Sequence, residues 1–330
     1  MKKPYVFVTR TLPKKAIGQL QQLVELKMWP KEDVAVPRDI LLEEARKCDA
    51  LLTMLSDKID STIIDNAPNL KVVANLAVGF DNIDVEYATE KNIAVCNTPD
   101  VLTDTTADLT FGLLMATSRR LIEAADLVRE GKWKSWSPLL LAGQDIHHKT
   151  IGIVGMGKIG ETVAKRATGF EMDILYHNRS RNSEAENQLG AKYCSFDDLI
   201  ETADFIVCLT PLTTETRNLF NAATFKKMKR SAIFINASRG PVVDEKALYN
   251  ALVTGEIAGA GLDVFEVEPI NADHPLLTLK NVVALPHIGS SSTETRITMM
   301  RLCCDNIEAV LTNNIPQTIV NKEWKQSGVN

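Results

Sequence analysis

The sequence predicts an α/β protein built from two doubly wound parallel sheets, and three observations support this fold class. Short apolar runs of strand length alternate with helix-patterned stretches along most of the chain, which is typical of parallel sheets covered by helices on both faces. The length of 330 residues fits two domains of ordinary size. A glycine-rich turn at 155–160 stands between an apolar run and a helical pattern, as in dinucleotide-binding sheets.

The first hundred residues contain the elements of a smaller α/β domain. Apolar runs predict strands at 5–9, 24–28, 50–54, 70–74 and 93–96. Helical spacing is found at 14–23, 37–47, 61–66 and 85–91, and a turn at 77–84 follows the fourth strand. Because the strands alternate with helices, we expect them to form one parallel sheet.

The longest helical pattern of the chain, 103–129, leads out of this first domain. The stretch after it, 131–148, carries Trp133 and Trp136 in a polar setting that contains a proline. Loops of this length are usually functional or packed on a partner. We therefore expect an arm or a long loop here.

The stretch 150–180 has the pattern of a βαβ unit with a dinucleotide fingerprint. An apolar run at 151–154 predicts one strand, and 173–177 predicts a second. Between them lies the GxGxxG sequence Gly155-Met156-Gly157-Lys158-Ile159-Gly160, followed by a helical pattern. Gly155 allows a tight turn, Gly157 a close approach to a pyrophosphate, and Gly160 close packing of helix on strand. The helix N-terminus then offers N–H groups to the phosphates.

The residues after the second strand of this unit favour one nucleotide over the other. An NAD site usually has an Asp or Glu there for the ribose 2′-hydroxyl, but 176–181 contains no acid. Asn178, Arg179 and Ser180 can instead accept a 2′-phosphate, with charge-assisted hydrogen bonds from Arg179. NADP(H) is therefore preferred and NAD(H) stays open. The alternative is that Arg179 and Arg181 are solvated surface charges.

The rest of the chain continues the alternation and then returns to the first domain. Strands are predicted at 204–209, 231–236, 259–263 and 281–285, with helices at 222–229 and 244–253, the latter capped by Asp244. The last helix, 292–311, is long enough to cross back, and 318–320 is a candidate edge segment. We therefore expect a discontinuous domain, 1–102 plus 291–330, around a dinucleotide-binding domain at 103–290.

Composition and charge exclude several classes of protein. A net charge of −5 gives no reason to expect nucleic-acid binding, and no apolar run approaches the ~20 residues of a membrane span. The N-terminal apolar run is too short for a signal peptide and is expected to be a strand. None of the six cysteines forms Cys-x-x-Cys, so we expect buried thiols in a reducing cytoplasm.

Three polar residues stand at or beyond predicted strand ends, where doubly wound sheets bind ligands. Arg239 can hold a carboxylate in planar, bidentate fashion. His287 suits proton transfer near neutral pH, and a carboxylate beside it, Glu268, would favour the imidazolium. This set fits a nicotinamide enzyme acting on a 2-keto acid. Taken singly, each residue has a plainer interpretation: a surface charge, a solvated loop acid and a structural histidine.

Over essentially its whole length, the chain resembles the D-isomer-specific 2-hydroxyacid dehydrogenases. The motifs are the fingerprint and, in addition, VGFDNID at 78–84, NASRGPVVDE at 236–245, GAGLDVFEVEP at 259–269 and LPHIGS at 285–290. The stretch GKWKSWSPLLLAGQDI at 131–146 and the NRS at 178–180 are most similar to the glyoxylate/hydroxypyruvate reductase branch.

The resemblance implies a Rossmann dinucleotide-binding domain inserted in a flavodoxin-like substrate domain, and a homodimer. It implies catalytic roles for Arg239, Glu268 and His287, and substrate-carboxylate contacts from the N–H groups of Val78 and Gly79. In this branch a tryptophan matching Trp136 reaches the neighbouring subunit's active site, although arm packing is an alternative role. Cofactor contacts are implied for Gly155 to Gly160, Asn178, Arg179, Ser180, Thr210, Pro211, Ala237, Ser238, Asp263 and Gly289.

The reaction expected from these roles is reduction of glyoxylate or hydroxypyruvate, with hydride from NADPH and a proton from His287. Reduction of a larger acid such as 2-ketogluconate is an alternative, and oxidation of D-3-phosphoglycerate is less favoured because only about 40 residues follow His287. A dinucleotide-sensing corepressor is an alternative of another class.

Two other sites are not supported by the sequence. A zinc dehydrogenase would need clustered Cys and His ligands, and the adjacent His147 and His148 are expected on opposite faces of an extended segment. No Ser or Thr follows Lys158, as a P-loop would require.

Overall fold

The computed structural model describes residues 2–325, and the chain divides into two compact units. One unit consists of the residues up to Leu102 together with those from Ser292 onward, and the other is Thr103–Ser291. Each unit has its own parallel sheet, so the predicted fold class of two doubly wound α/β domains is confirmed.

The first unit is built on five parallel strands. They are β1 (Tyr5–Val8), β2 (Glu25–Met28), β3 (Ala50–Thr53), β4 (Val72–Asn75) and β5 (Ala94–Cys96). Their order, β2-β1-β3-β4-β5, is the flavodoxin-like order. Every residue of β3, β4 and β5 is buried, as expected for central strands covered by helices on both faces.

Short helices connect these strands. They are α1 (Lys14–Ile17), α2 (Leu20–Leu23), α3 (Arg38–Ala45), α4 (Ser61–Asp65) and α5 (Val85–Glu90). The single helix predicted at 14–23 is therefore wrong, because the chain forms two helices separated at Gly18, a residue type with low helix propensity.

The C-terminal part of the chain completes this unit. The helix Thr293–Leu311 begins after Ser292, whose hydroxyl accepts from the Thr295 N–H, and it packs on α1 and β4. Beyond it, Ile319 forms an antiparallel bridge with Cys96. The edge segment predicted at 318–320 is therefore confirmed.

The second unit contains seven α-helices. They are α6 (Thr103–Ser118), α7 (Leu121–Arg129), α8 (Lys158–Thr168), α9 (Ser183–Leu189), α10 (Phe196–Thr202), α11 (Ala222–Lys227) and α12 (Glu245–Thr254). The side chain of Asp244 caps α12 by accepting from the Ala247 N–H, as predicted.

Seven parallel strands form the sheet of this unit. They are β6 (Thr150–Val154), β7 (Asp173–His177), β8 (Lys192–Tyr193), β9 (Phe205–Cys208), β10 (Ile233–Asn236), β11 (Gly259–Leu262) and β12 (Val282–Ala284). The order β12-β11-β10-β9-β6-β7-β8 is the Rossmann order with a seventh strand. The sequence predicted neither β8 nor its neighbours α9 and α10, because the polar 183–202 segment has no long apolar run.

The continuous helix predicted at 103–129 is wrong. The chain breaks at Arg120, which has a positive φ of 53°. The Ser118 carbonyl accepts from the Gln144 N–H at 2.9 Å, and a Cβ on Gly143 would lie 2.2 Å from that carbonyl oxygen. The arm therefore crosses the end of α6 at close range. Helix α6 is buried on the sheet, whereas α7 has no buried residue.

The segment 131–148 forms no regular helix or strand, which confirms the predicted loop. Its end differs from expectation, because His148 has a φ of +58° and its ring lies edge-on to that of His147 with the ring centroids 5.0 Å apart. The two rings are thus in contact and do not point to opposite faces. Within residues 2–325, no three His, Cys, Asp or Glu side chains are grouped as a metal site requires.

The six cysteines are free thiols, and five of them are buried, with Cys194 partly exposed. Burial raises the pKa of the Cys48 and Cys96 thiols to about 12. Among the helices of the described chain, none has the length and apolar character needed to cross a bilayer.

Candidate active site

The residues predicted to bind the cofactor and to act in catalysis lie in the loops that follow strands of the seven-stranded sheet. Because all seven strands are parallel, these loops emerge at one edge of the sheet. Backbone hydrogen bonds continue past the strand ends, for example from the Leu209 N–H to the Val154 carbonyl at 2.8 Å and from the Asp263 N–H to the Asn236 carbonyl at 2.9 Å. The loops are therefore fixed where they leave the sheet.

The glycines of the fingerprint have three different structural roles. Gly155 has a φ of +103°, and a Cβ there would lie 2.7 Å from the Leu209 carbonyl carbon. A Cβ on Gly160 would lie 2.4 Å from the Gly155 carbonyl oxygen, so only glycine allows α8 to start so close to the turn.

The space beside Gly157 fits a bound pyrophosphate. A Cβ built on Gly157 has no protein atom within 4 Å, so this glycine is not required by packing within the chain. Gly157 is also the N-cap of α8 and provides no side-chain acceptor to the first turn. The open approach and the uncapped helix end are both suited to a phosphate group.

The other fingerprint residues divide between core and surface. Met156 is 1% exposed and its side chain packs in the core of the sheet. Lys158 is exposed and Ile159 is partly buried.

The loop after β7 is fixed by hydrogen bonds from its last two residues, Arg181 and Asn182. The Asn182 amide donates to the Met156 carbonyl at 3.4 Å and to the Glu161 carboxylate. Arg181 forms two hydrogen bonds to Glu186, at 3.0 and 2.6 Å, so its charge is already paired. Arg179 is exposed and lies near Glu215, whose pKa is lowered first by a Thr213 hydrogen bond and further by the Arg179 charge.

A buried amide that the sequence did not single out organises the loop after β10. Asn236 ends the strand, and its side chain accepts from the Ser238 N–H at 3.1 Å and the Ser238 hydroxyl at 2.9 Å. Its Nδ2 donates to the Arg239 carbonyl at 3.1 Å. The Ser238 hydroxyl also lies 3.2 Å from the Cys208 sulfur, which links this loop to the end of β9 that precedes Thr210 and Pro211.

The Arg239 loop and the Glu268 loop are packed backbone against backbone. A Cβ on Gly240 would lie 1.8 Å from the Phe265 carbonyl carbon, so a glycine is required at this contact. The Phe265 N–H in turn donates to the Glu268 Oε1 at 3.0 Å. The guanidinium of Arg239 and the carboxylate of Glu268 are near enough for the arginine charge to act on the acid.

Glu268 and His287 form a direct pair, with Nδ1 of the imidazole 2.7 Å from Oε2 of the carboxylate. Burial by itself would raise the pKa of Glu268, but the His287 hydrogen bond and charge, the Phe265 N–H and the Arg239 charge together bring it below its ordinary value. Glu268 is therefore ionised at neutral pH and holds one nitrogen of the ring. The second ring nitrogen, Nε2, takes no part in this hydrogen bond.

Asp263 holds the backbone of the same loop. Its carboxylate oxygens accept from the Ile288 N–H and the Gly289 N–H, both at 2.8 Å, and the residue is 1% exposed. Burial is the largest influence and raises the pKa of Asp263, although both N–H groups and the His287 charge act in the opposite direction. Asp263 thus fixes the backbone that follows His287, which has a φ of +53°.

The other unit presents a loop of peptide groups after β4. The Asn97 amide donates to the Val78 carbonyl at 2.8 Å, and the Asn75 amide donates to the Gly79 carbonyl at 2.9 Å. In residues 2–325 the N–H groups of Val78 and Gly79 have no hydrogen-bond acceptor. The sequence did not single out Asn75 or Asn97. Asn75 ends β4 and Asn97 directly follows β5, a placement similar to that of Asn236 at the end of β10.

Trp136 is on the arm at 131–148 and is 78% exposed. Trp133 and Leu139 of the same arm are exposed as well, as are Ile122 and Val128 on α7. The arm and α7 thus expose at least five large apolar side chains, and exposed apolar side chains that adjoin one another mark interaction sites.

Comparison with known proteins gives matches to a family model, to related sequences and to solved structures. A family model described as D-isomer specific 2-hydroxyacid dehydrogenase, NAD binding domain, matches residues 111–289. The glyoxylate reductase of Thermococcus kodakarensis is 51% identical over 325 residues, which is 97% of either chain.

Two solved structures of related enzymes cover the whole chain. A glyoxylate reductase from Paecilomyes thermophila is 32% identical with a TM-score of 0.86, and the match covers 98% of this chain and 100% of that one. An NADPH-dependent glyoxylate/hydroxypyruvate reductase from Sinorhizobium meliloti, in complex with NADP and malonate, is 33% identical with a TM-score of 0.84 over 100% of both chains.

Proposed function

Since the chain belongs to the D-isomer specific 2-hydroxyacid dehydrogenase family, we propose that it reduces glyoxylate and hydroxypyruvate with hydride from NADPH. The family resemblance of its motifs is confirmed, and the protein is an NAD(P)-dependent dehydrogenase. The observation that carries the proposal is the Glu268–His287 pair, 2.7 Å apart, at the ligand-binding edge of a Rossmann sheet. An acid held at this edge is what carbonyl reduction needs in addition to a hydride donor.

The nicotinamide dinucleotide supplies the hydride when it is bound. In our proposal the fingerprint from Gly155 to Gly160 holds the pyrophosphate, and Asn178, Arg179 and Ser180 hold the 2′-phosphate. The open space beside Gly157 and the exposed position of Arg179 support this assignment. Thr210, Pro211, Ala237, Ser238, Asp263 and Gly289 line the same edge and would contact the rest of the cofactor.

The substrate is a small 2-keto acid, bound through its carboxylate. We assign this role to the Val78 and Gly79 N–H groups and to the guanidinium of Arg239. The free N–H groups of the first two residues support the assignment. Arginine is suited to hold both oxygens of a carboxylate in one plane.

His287 is the proposed proton donor to the carbonyl oxygen, and Glu268 keeps the ring oriented with its Nδ1 occupied. The Glu268 carboxylate, ionised because of its lowered pKa, compensates the positive charge of the ring while the ring carries the proton. After proton transfer the neutral ring remains hydrogen-bonded to Glu268.

We further propose a cytoplasmic homodimer in which the arm at 131–148 and α7 meet the partner copy, and in which Trp136 lies near the partner's substrate. The exposed apolar side chains of this surface support a partner there, and the six free thiols support a reducing compartment. In this scheme the unit of the first 102 residues is the substrate domain, and the other unit is the dinucleotide-binding domain.

The first test is cofactor oxidation by the purified protein, followed at the nicotinamide absorbance band. Glyoxylate, hydroxypyruvate and 2-ketogluconate are each supplied with NADPH and with NADH. We expect the highest kcat/KM with NADPH and one of the two smaller acids. Faster turnover of 2-ketogluconate would change the substrate and keep the mechanism, and no turnover of any pair would contradict the proposal.

The cofactor preference is tested by comparing Arg179→Ala with Arg181→Ala. Loss of charge-assisted hydrogen bonds costs about 1.5–3 kcal/mol, so Arg179→Ala should raise the KM for NADPH about 10-fold or more and leave the KM for NADH unchanged. Arg181→Ala is the matched control, because this arginine is equally close in sequence but is paired with Glu186. Equal effects of Arg179→Ala on both cofactors would contradict the assignment.

A further inference from the structure

In the loop after β4, the carbonyl oxygens of three consecutive peptide groups each accept a hydrogen bond from a residue at or just after the end of a strand. The Ala77 carbonyl accepts from the Thr98 N–H at 2.9 Å, and the Val78 carbonyl accepts from the Asn97 amide at 2.8 Å. The third carbonyl, that of Gly79, accepts from the Asn75 amide at 2.9 Å. All three donors lie at the ends of β4 and β5.

The N–H groups of the same three peptides belong to Val78, Gly79 and Phe80. In a trans peptide the N–H points away from the C=O, so donors that hold the carbonyls turn each N–H away from the strand ends. In the described part of the chain, none of the three N–H groups has an acceptor. The loop therefore offers three neighbouring donors, one more than the family resemblance implied, and such groups form a favourable site for an anion.

Asn75 is the residue that holds the third peptide, and its own amide is fully engaged. The side chain is 0% exposed, and its second Nδ2 proton goes to Asn82 Oδ1 at 3.1 Å. Its Oδ1 accepts from the Thr53 hydroxyl at 3.0 Å. Because these contacts fix the plane of the amide, Asn75 can hold the Gly79 carbonyl in only one direction.

We propose that Asn75 is a positioning residue for the substrate carboxylate, and that the Phe80 N–H it orients is a third donor to that carboxylate. The inference rests on the proposed function for the identity of the anion, a 2-keto acid. The site itself consists of backbone donors and of one buried amide that never touches the substrate. These groups carry no charge of their own, and in the proposed function the positive charge that faces the carboxylate comes from Arg239 alone.

The first experiment uses the wild-type protein with NADPH and records the amide resonances of Val78, Gly79 and Phe80 by NMR during titration with oxamate. We expect all three to shift in a saturable manner. A Phe80 resonance that stays in place while the other two shift would overturn the third donor. Shifts of all three in a protein that turns over no 2-keto acid would support the anion site and contradict the proposed reaction.

The second experiment replaces the amide with a side chain of similar shape, in Asn75→Leu. We expect the KM for glyoxylate to rise about 10-fold, with kcat within about two-fold and the KM for NADPH unchanged, because one held donor is lost from the binding step. The Phe80 resonance should no longer respond to oxamate.

Asn321→Leu is the matched control. Asn321 is 2% exposed and belongs to the same unit, but its amide donates to the Thr89 hydroxyl and the Ile93 carbonyl, both at 2.9 Å, and to no peptide of the loop after β4. It should lower the thermal midpoint and leave the KM for glyoxylate unchanged. A rise in KM of the same size in both variants, or a fall in kcat rather than a rise in KM for Asn75→Leu, would overturn the positioning role.

Discussion

The two sheets of this protein end in loops that are built in the same way but present different chemistry. In one unit β4 ends at Asn75, and in the other β10 ends at Asn236, and each buried amide holds carbonyl oxygens of the loop that follows. The loop after β4 then presents peptide N–H groups. The loops around β10, β11 and β12 present a guanidinium, two carboxylates and an imidazole.

This difference separates binding from proton transfer. A carboxylate that is only bound can be held by fixed dipoles, which keep the same charge at every pH. A carbonyl that must receive a proton needs an ionisable group and neighbours that set its charge and orientation. We therefore expect variants of His287 and Asp263 to change kcat, and variants of the loop after β4 to change KM. Arg239 belongs with the binding groups, because it is proposed to hold the substrate carboxylate.

The largest effect is expected from His287→Ala. Loss of the proposed proton donor should reduce kcat about 10²–10⁴-fold, with a smaller change in the KM for NADPH, measured by cofactor oxidation. His274→Ala is the control, since this histidine lies between β11 and β12 and pairs with Glu245 at 3.3 Å, whereas His287 pairs with Glu268. Near-wild-type turnover of His287→Ala would exclude His287 as the donor.

A smaller loss of kcat is expected from Asp263→Asn. An amide has only one acceptor, so its Nδ2 would oppose the N–H of Ile288 or Gly289 and displace the loop that carries His287. Misplacement of a reacting group by about 1 Å costs up to about 100-fold, and we expect a loss of about 10- to 100-fold in kcat.

The control for Asp263 is Asp244→Asn, which makes the same chemical change at the N-cap of α12. Asparagine is also a good N-cap, so this variant should stay close to wild type in kcat. A loss of kcat in Asp244→Asn as large as in Asp263→Asn would show that the effect is not specific to the His287 loop.

The smallest effect is expected on stability, from Glu268→Gln. The lowered pKa of Glu268 means that its ionised form stabilises the folded state above the unfolded pKa of about 4.3, and that this contribution is lost as the pH falls through the lower folded pKa. The variant should melt about 2–4 °C below wild type at pH 7, as expected for about 1 kcal/mol in a domain of this size.

The pH series of melting temperatures decides this prediction. The difference in melting temperature between wild type and Glu268→Gln should narrow as the pH falls through the lowered folded pKa of Glu268, because the carboxyl is then protonated in both the folded and the unfolded state. A gap that is constant from pH 7 to pH 3 would mean that the Glu268 charge does not contribute to folding. Asn75→Leu, which alters the loop after β4, provides the contrast. Its melting temperature should differ from that of wild type by an amount that does not depend on pH.

Elements defined by local patterns were predictable from the sequence. The strand at 173–177 has the predicted bounds, and the turn at Gly155 follows because few residues other than glycine tolerate its φ of +103°. The short, polar elements α9, β8 and α10 were missed, because their helix and strand signals are weak over two to seven residues. The break at Arg120 was missed because it lies where Gly143, distant in sequence, packs against the backbone of Ser118 and Arg119.

The sequence by itself determined the fold class, the fingerprint and the identity of the polar residues at the strand ends, since each follows from the order of residue types along the chain. Only the tertiary structure decided which of these residues pair. Glu268 meets His287 across 19 positions, Asp263 holds the backbone at Ile288 and Gly289, and Asn75 and Asn97 turn the carbonyls of one loop inward. Such pairings depend on which strand ends become neighbours in the sheet, and strand order arises only when the whole chain packs.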